Sequence, residues 1–74
     1  NMDMTHSIYA LTLNSKDQVI SGTYNEIKVW DTESGKCLRT LKTQTTWIKA
    51  LAVNSKDEII IGSDDNTIKV LTLA

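Results

Sequence analysis

Cys37 and His6, each the sole residue of its type, are the side chains best suited to nucleophilic chemistry. A thiol attacks efficiently only when an adjacent base draws off its proton. The two fall in different strand regions, and no third group stands ready to orient the histidine. Cys37 is therefore expected as a small buried thiol in an outer strand, and His6 as a solvated loop residue. Asp64 and Asp65 are neighbouring carboxylates, but a metal site needs three or four convergent ligands. With Asn66 behind them, a residue that tolerates positive φ, they read as a β-turn pair. No G-x-S-x-G, phosphate-binding loop or H-E-x-x-H run occurs. The expectation is no catalysis, no metal and no cofactor.

Other side chains suit binding better than reaction. Trp47 stands in a polar stretch, Thr43-Gln44-Thr45-Thr46, immediately before an apolar run. A large ring so placed either anchors a partner or covers a sheet edge. Charge is nearly balanced, with eight Lys+Arg against nine Asp+Glu. That argues against non-specific nucleic-acid binding and against a polybasic membrane surface. No apolar run approaches the roughly 20 residues that span a bilayer. A lone cysteine cannot form an internal bridge, which fits a reducing, intracellular compartment. A chain that opens on Asn1 rather than Met is expected to be processed or a piece of a longer one.

The elements that position these residues emerge from a repeat. Ile8–Gly22 aligns with Ile48–Gly62 at an offset of 40, with nine of fifteen positions identical. After the glycines the offset becomes 41, and Ile27-Lys28-Val29 matches Ile68-Lys69-Val70. The extra residue falls in a turn, where insertion costs little. A period near 40 belongs to propeller blades or helical arrays. The chain carries eight Ile, four Val and ten Thr, side chains that favour pleated strands. Short apolar runs are broken by Asn-Ser-Lys-Asp, Tyr24-Asn25, Thr32-Glu33-Ser34-Gly35 and Asp64-Asp65-Asn66, all turn chemistry. The pattern predicts strands at about 8–13, 18–22, 27–31, 36–42, 48–53, 58–62 and 68–73. Several carry apolar residues on both faces, including Ile8, Ala10, Leu11 and Leu13. Such sheets need neighbours on both sides, as in a radial stack of small antiparallel sheets. Asp31 opens a turn that its carboxylate can close, with Gly35 taking the unusual φ.

Ser21-Gly22…Ile27-Lys28-Val29-Trp30-Asp31, then Ser34-Gly35-Lys36…Leu38-Arg39-Thr40-Leu41, resembles the WD-repeat β-propeller family. Gly62-Ser63-Asp64-Asp65-Asn66-Thr67-Ile68-Lys69-Val70 resembles a second copy of the first part. The resemblance implies a buried hydrogen-bonded network of His, Ser or Thr, Asp and Trp in each blade. Here Thr43-Gln44 replaces one Gly-His pair, and Met4 holds the register of the other histidine, with His6 two residues too close. The first unit keeps Ser21 and Trp30 but is one residue short at the turn Asp. The second keeps Asp65 but has Ile61 and Leu71. An incomplete polar network is worth less than a full one. The resemblance also places the residues flanking the first apolar position on the ligand-binding rim: Ser7 and Tyr9, then Trp47 and Lys49.

The reading is an all-β fold of antiparallel four-stranded propeller blades, two blades with the second lacking its outer strand. Residues 1–74 form part of a single propeller, unit 1 at about 5–43 and unit 2 at about 44–74. The structural residues are Trp30, Asp31, Ser21, Asp65, Gly22, Gly35 and Gly62, and the candidate partner-binding rim is Trp47, Lys49, Tyr9 and Ser7. The expected function is a non-catalytic protein–protein interaction scaffold, a fragment of a larger propeller that binds a protein or peptide. The alternative is a short-repeat chain that closes a propeller as a homo-oligomer, because repeat proteins generally need at least three units.

Overall fold

A computed structural model describes residues 7–72. Six strands run β1 Ala10–Leu13, β2 Val19–Gly22, β3 Tyr24–Trp30, β4 Cys37–Val53, β5 Ile59–Ser63 and β6 Ile68–Leu71. Each pairs antiparallel with the next, in the order β1-β2-β3-β4-β5-β6. The fold is all-β, as the turn spacing and the β-branched composition imply.

The twin Asn-Ser-Lys-Asp turns fold alike to the atom. Asn14 Oδ1 accepts hydrogen bonds from the amides of Lys16 and Gln18, and Asn54 Oδ1 accepts from those of Lys56 and Glu58, each at 3.0 Å. Asp17 and Asp57 both take φ 59°, a left-handed conformation that aspartate tolerates better than most residues. Asn66 is likewise left-handed at φ 69° and Gly35 at 75°.

The strands expected at 36–42 and 48–53 are one element. β4 runs 17 residues without a break. Its first part pairs with β3, as in Ile27↔Leu41, and its last part pairs with β5, as in Leu51↔Ile61. The polar stretch between them reads as a loop, yet threonine suits extended backbone. Gln44 turns left-handed at φ 58° and redirects the chain. Thr43 and Thr45 are buried, their hydroxyls 2.7 Å apart, so each meets the other's polar need. Tyr24-Asn25, expected as a turn, falls inside β3 as a bulge, with Asn25 at φ 60°.

β4 thus belongs to two sheets, which pack face to face. The first sheet contributes Ile20, Ile27 and Val29, with Ala10 and Leu41 beside them. The second contributes Ile48, Ile59 and Ile61, with Leu51, Val53 and Leu71. Branched aliphatics from both faces make one dry layer, the main stabilising element of so small a chain. At the crossing the Ile48 amide donates to the Thr23 carbonyl at 2.8 Å. On the turn side the Ser15 amide donates to Asp57 Oδ1 at 3.0 Å, and the Ser15 hydroxyl donates to Asp57 Oδ2.

The outward faces differ from the two-sided burial expected. Leu11 is 61% exposed and Leu13 is exposed with it. Ile68 is 77% exposed, and Val70 is exposed beside it. The strands have the composition of two-sided burial, but the described residues supply a neighbour on one side only. Cys37 also departs from its expected burial. It is exposed, because β4 at that point is the outer edge of the first sheet. His6 and Met4 lie outside the described residues, as does the end of the strand expected to reach residue 73.

Candidate partner-binding rim

Antiparallel pairing brings the start of β1, the β2–β3 turn and the middle of β4 to one end of the sheets. Tyr9 donates its amide to the Gly22 carbonyl at 3.1 Å. Tyr24 lies directly opposite Trp47 in the β3–β4 register. The Trp47 carbonyl accepts the Asp64 amide at 2.9 Å, which ties the β5–β6 turn to the same end.

Three rings meet there. Tyr9 and Trp47 have centroids 5.1 Å apart with planes at 68°, and Tyr24 and Trp47 are 4.9 Å apart at 73°. Both are edge-to-face contacts, worth about 0.5–1.5 kcal/mol each beyond area burial. Lys49 holds its Nζ 5.2 Å from the Tyr9 ring centroid. A cation over an exposed ring adds about 0.5–1 kcal/mol. All three rings remain open to solvent, Trp47 at 39%. The result is a rigid aromatic surface with one positive charge. It can stack on apolar or planar groups and attract a carboxylate.

Of the four rim residues read from the sequence, the structure brings Trp47, Tyr9 and Lys49 together. Ser7 is exposed but joins no ring contact or hydrogen bond among the described residues. Tyr24 belongs to the cluster and was missed. Its signal was weak: an aromatic one position past the Gly-Thr that follows β2, aligned with Asp64 in the other unit.

The residues expected to be structural sit as follows. Trp30 is 7% exposed, and its Nε1 donates to Ser21 Oγ at 3.0 Å inside the first sheet. Asp31 Oδ2 accepts from the Ser34 amide at 3.0 Å, and the Asp31 carbonyl accepts the Gly35 amide at 2.9 Å. The Ser34 hydroxyl and then its amide hold the Asp31 carboxyl below its ordinary range. Asp65 accepts from the Ser63 and Thr67 hydroxyls, which lower its pKa in that order, and from the Thr67 amide at 3.1 Å. For Asp57 the Ser15 hydroxyl and then the Ser15 amide have the same effect. These three carboxylates are engaged in turns. Gly22 lies under Ile48, while the nearest atoms to the corresponding point on Gly62 belong to Ala50.

The family model "WD domain, G-beta repeat" matches residues 35–71, half of the chain. The chain belongs to the WD-repeat family. Its fold matches the crystal structure of the WD40 beta propeller domain of Doa1 with a TM-score of 0.83 at 20% identity. The match covers 97% of this chain and 25% of that one, so the chain spans a quarter of the propeller structure it resembles. No curated protein matches it. The fold generally mediates protein–protein interaction.

Proposed function

We propose that the chain is a non-catalytic interaction module, two blades of a larger WD-repeat propeller, that presents the Tyr9–Trp47–Tyr24 cluster and Lys49 to a protein or peptide partner. The observation that carries this reading is three solvent-open rings in edge-to-face contact at one end of two packed sheets. Aromatic rings with few rotatable bonds lose little entropy on binding, and Trp and Tyr are enriched among residues that dominate interface energies. Lys49 favours partners with an acidic residue beside an apolar or aromatic anchor. Among the described residues Cys37 is exposed at a sheet edge, and the carboxylates of Asp31, Asp57 and Asp65 accept hydrogen bonds from hydroxyl and amide donors, which favours a binding role. A single exposed thiol suits a reducing, intracellular setting.

The test is a peptide-display selection on the folded protein, with affinities of the selected peptides measured for wild type and Trp47→Ala. Loss of about 2 kcal/mol, or about thirtyfold in Kd, is expected with the circular dichroism spectrum unchanged. Equal affinities for a folded Trp47→Ala would remove the rim from the binding mechanism.

A further inference from the structure

At the hairpin end, opposite the aromatic rim, the dry layer between the two sheets stops short. Val29, 2% exposed, is the inward-facing residue of β3 nearest that end. In the β3–β4 register Val29 stands opposite Arg39, as Ile27 stands opposite Leu41. Directly opposed residues leave a sheet on the same face. Arg39 therefore leaves the first sheet on the face that packs against the second, the face through which Leu41 reaches the core. A guanidinium on that face stays solvated only where the sheets stand apart. They do so here: a cavity of about 340 Å3 opens between them, lined by Arg39 and floored by Val29. Leu38 borders it, and the register shift between Val29 and Trp30 leaves Leu38 opposite no residue, as a bulge. Bulges re-aim side chains and are over-represented beside functional sites.

The charge of this groove is one-sided. Lys16 and Lys56, equivalent lysines of the twin turns, reach it from its two lips, one from each sheet. Asp57 is the single carboxylate in its lining, and both Asp57 oxygens already accept from Ser15, one from the amide and one from the hydroxyl. Three cations against one carboxylate give the lining a net +2, in a chain whose net charge is −1. The neutral groups add to the same sign. Gln18 Oε1 accepts from Asn14 Nδ2 at 2.8 Å, which leaves the Gln18 amide nitrogen as a donor at the groove. In the twin turn Glu58 makes the same bond to Asn54, also at 2.8 Å. A glutamate therefore serves that turn as well as a glutamine does. The neutral version stands at the position that lines the groove. Glu58 does not line it, and its oxygens accept from Asn54 and Thr72.

We propose that this groove binds a small phosphate monoester, with the phosphoryl group among Arg39, Lys16 and Lys56 and the organic part on Val29 and Leu38. A phosphate monoester is close to a dianion at neutral pH. Arg39 offers the planar fork that matches two phosphoryl oxygens, and the two lysines add point charges from opposite lips. A volume of about 340 Å3 exceeds a bare ion and falls at the small end of ligand cavities, which run from about 300 to 1,000 Å3. Both sheets line the groove, and the Ser15–Asp57 bonds hold its two turns together. It lies between the two blades of this chain and shares no residue with the Tyr9–Trp47–Tyr24 cluster at the other end.

Calorimetry and amide NMR shifts, titrating the protein with phenyl phosphate and with inorganic phosphate, test this. Phenyl phosphate saturates a single site with a Kd of about 1 mM or tighter, and it moves the amides of Lys16, Arg39 and Lys56 but not that of Trp47. Inorganic phosphate, with nothing to lay on Val29 and Leu38, binds about tenfold more weakly. Arg39→Gln and Lys56→Gln each weaken phenyl phosphate binding by about tenfold or more. Lys36→Gln removes an exposed cation outside the groove and leaves the affinity unchanged. All three substitutions fall at exposed positions, and circular dichroism checks that each variant keeps its fold. Absence of saturation at about 20 mM phenyl phosphate overturns the assignment. So does an Arg39→Gln protein of unchanged affinity, an equal loss in Lys36→Gln, or inorganic phosphate that binds as tightly as the ester. A phosphoserine peptide bound about a hundredfold more tightly than phenyl phosphate also overturns it, and gives the groove to a phosphorylated protein. Peptides selected on the aromatic rim are measured against the same variants, so failure here leaves the rim reading standing, and the reverse.

Discussion

Gly22→Ala probes the contact on which the packing of the two sheets depends. An added Cβ would lie 2.7 Å from Ile48 Cγ2, 3.1 Å from Ile48 Cβ and 3.2 Å from Leu51 Cδ1. Rotating Ile48 can move Cγ2 away but leaves its Cβ in place, because that atom is fixed to the backbone. The backbone is itself held by the Ile48 amide bonded to the Thr23 carbonyl at 2.8 Å. Gly22 cannot withdraw either, because it is paired with Ala10 on one side and Ile27 on the other. The sheets must separate by a few tenths of an ångström along a layer of fully buried isoleucines. Overpacking of this kind costs about 1–3 kcal/mol. In a domain of this size each kcal/mol lowers Tm by about 4–8 °C, so a fall of about 5–20 °C is expected. Thermal denaturation followed by circular dichroism measures it. A double-mutant cycle with Ile48→Ala isolates the clash. Both singles destabilise, and the double costs less than their sum by about 1 kcal/mol or more. A Gly22→Ala protein within 0.5 kcal/mol of its parent would refute the close-packed sheet interface described above.

Trp30→Ala is expected to cost about 3–5 kcal/mol, as for a buried aromatic, and Trp30→Phe about 1 kcal/mol for the lost bond to Ser21; chemical denaturation that finds either within 0.5 kcal/mol of its parent would place the indole in solvent. Asp31, Asp57 and Asp65 have folded pKa values below 3.8, so the folded chain binds fewer protons than the unfolded one there, and their contribution to stability is present above that value and lost as pH falls through the folded values. Melting temperature is expected to drop on acidification below about pH 4, and the triple Asp→Asn variant to flatten that drop; equal slopes for the two proteins would contradict the turn hydrogen bonds. Exposed Cys37 is expected to react with a thiol reagent in native buffer at a rate close to that in denaturant, and a thiol protected until unfolding would return it to the interior.

The strands and turns were largely legible because their signals are local. Asn14 and Asn54 each organise a turn from within four residues, and Gly35 and Asn66 mark left-handed positions by residue type. The alternation that puts Ile59 and Ile61 in the core is equally local. What escaped depends on distant partners. Thr43–Thr46 looks like a loop by polarity, and only the mutual burial of two hydroxyls makes it strand. The Tyr24–Trp47 pairing spans two units, and no spacing rule within either one reports it. Burial of Leu11 and Leu13 was expected from composition, but composition records what a face is made to meet, not whether the partner is present.

In most arrays the join between neighbouring units is a slack tether, the place where proteases nick and where one unit can melt alone. Here one strand, β4, bent at Gln44, pairs in both sheets, and its middle is anchored by the buried Thr43 and Thr45. A continuous strand shared by the two sheets leaves no slack segment between them. Enzymatic nicking is left to the hairpin tips at the far end, where a cut would leave the aromatic platform undisturbed.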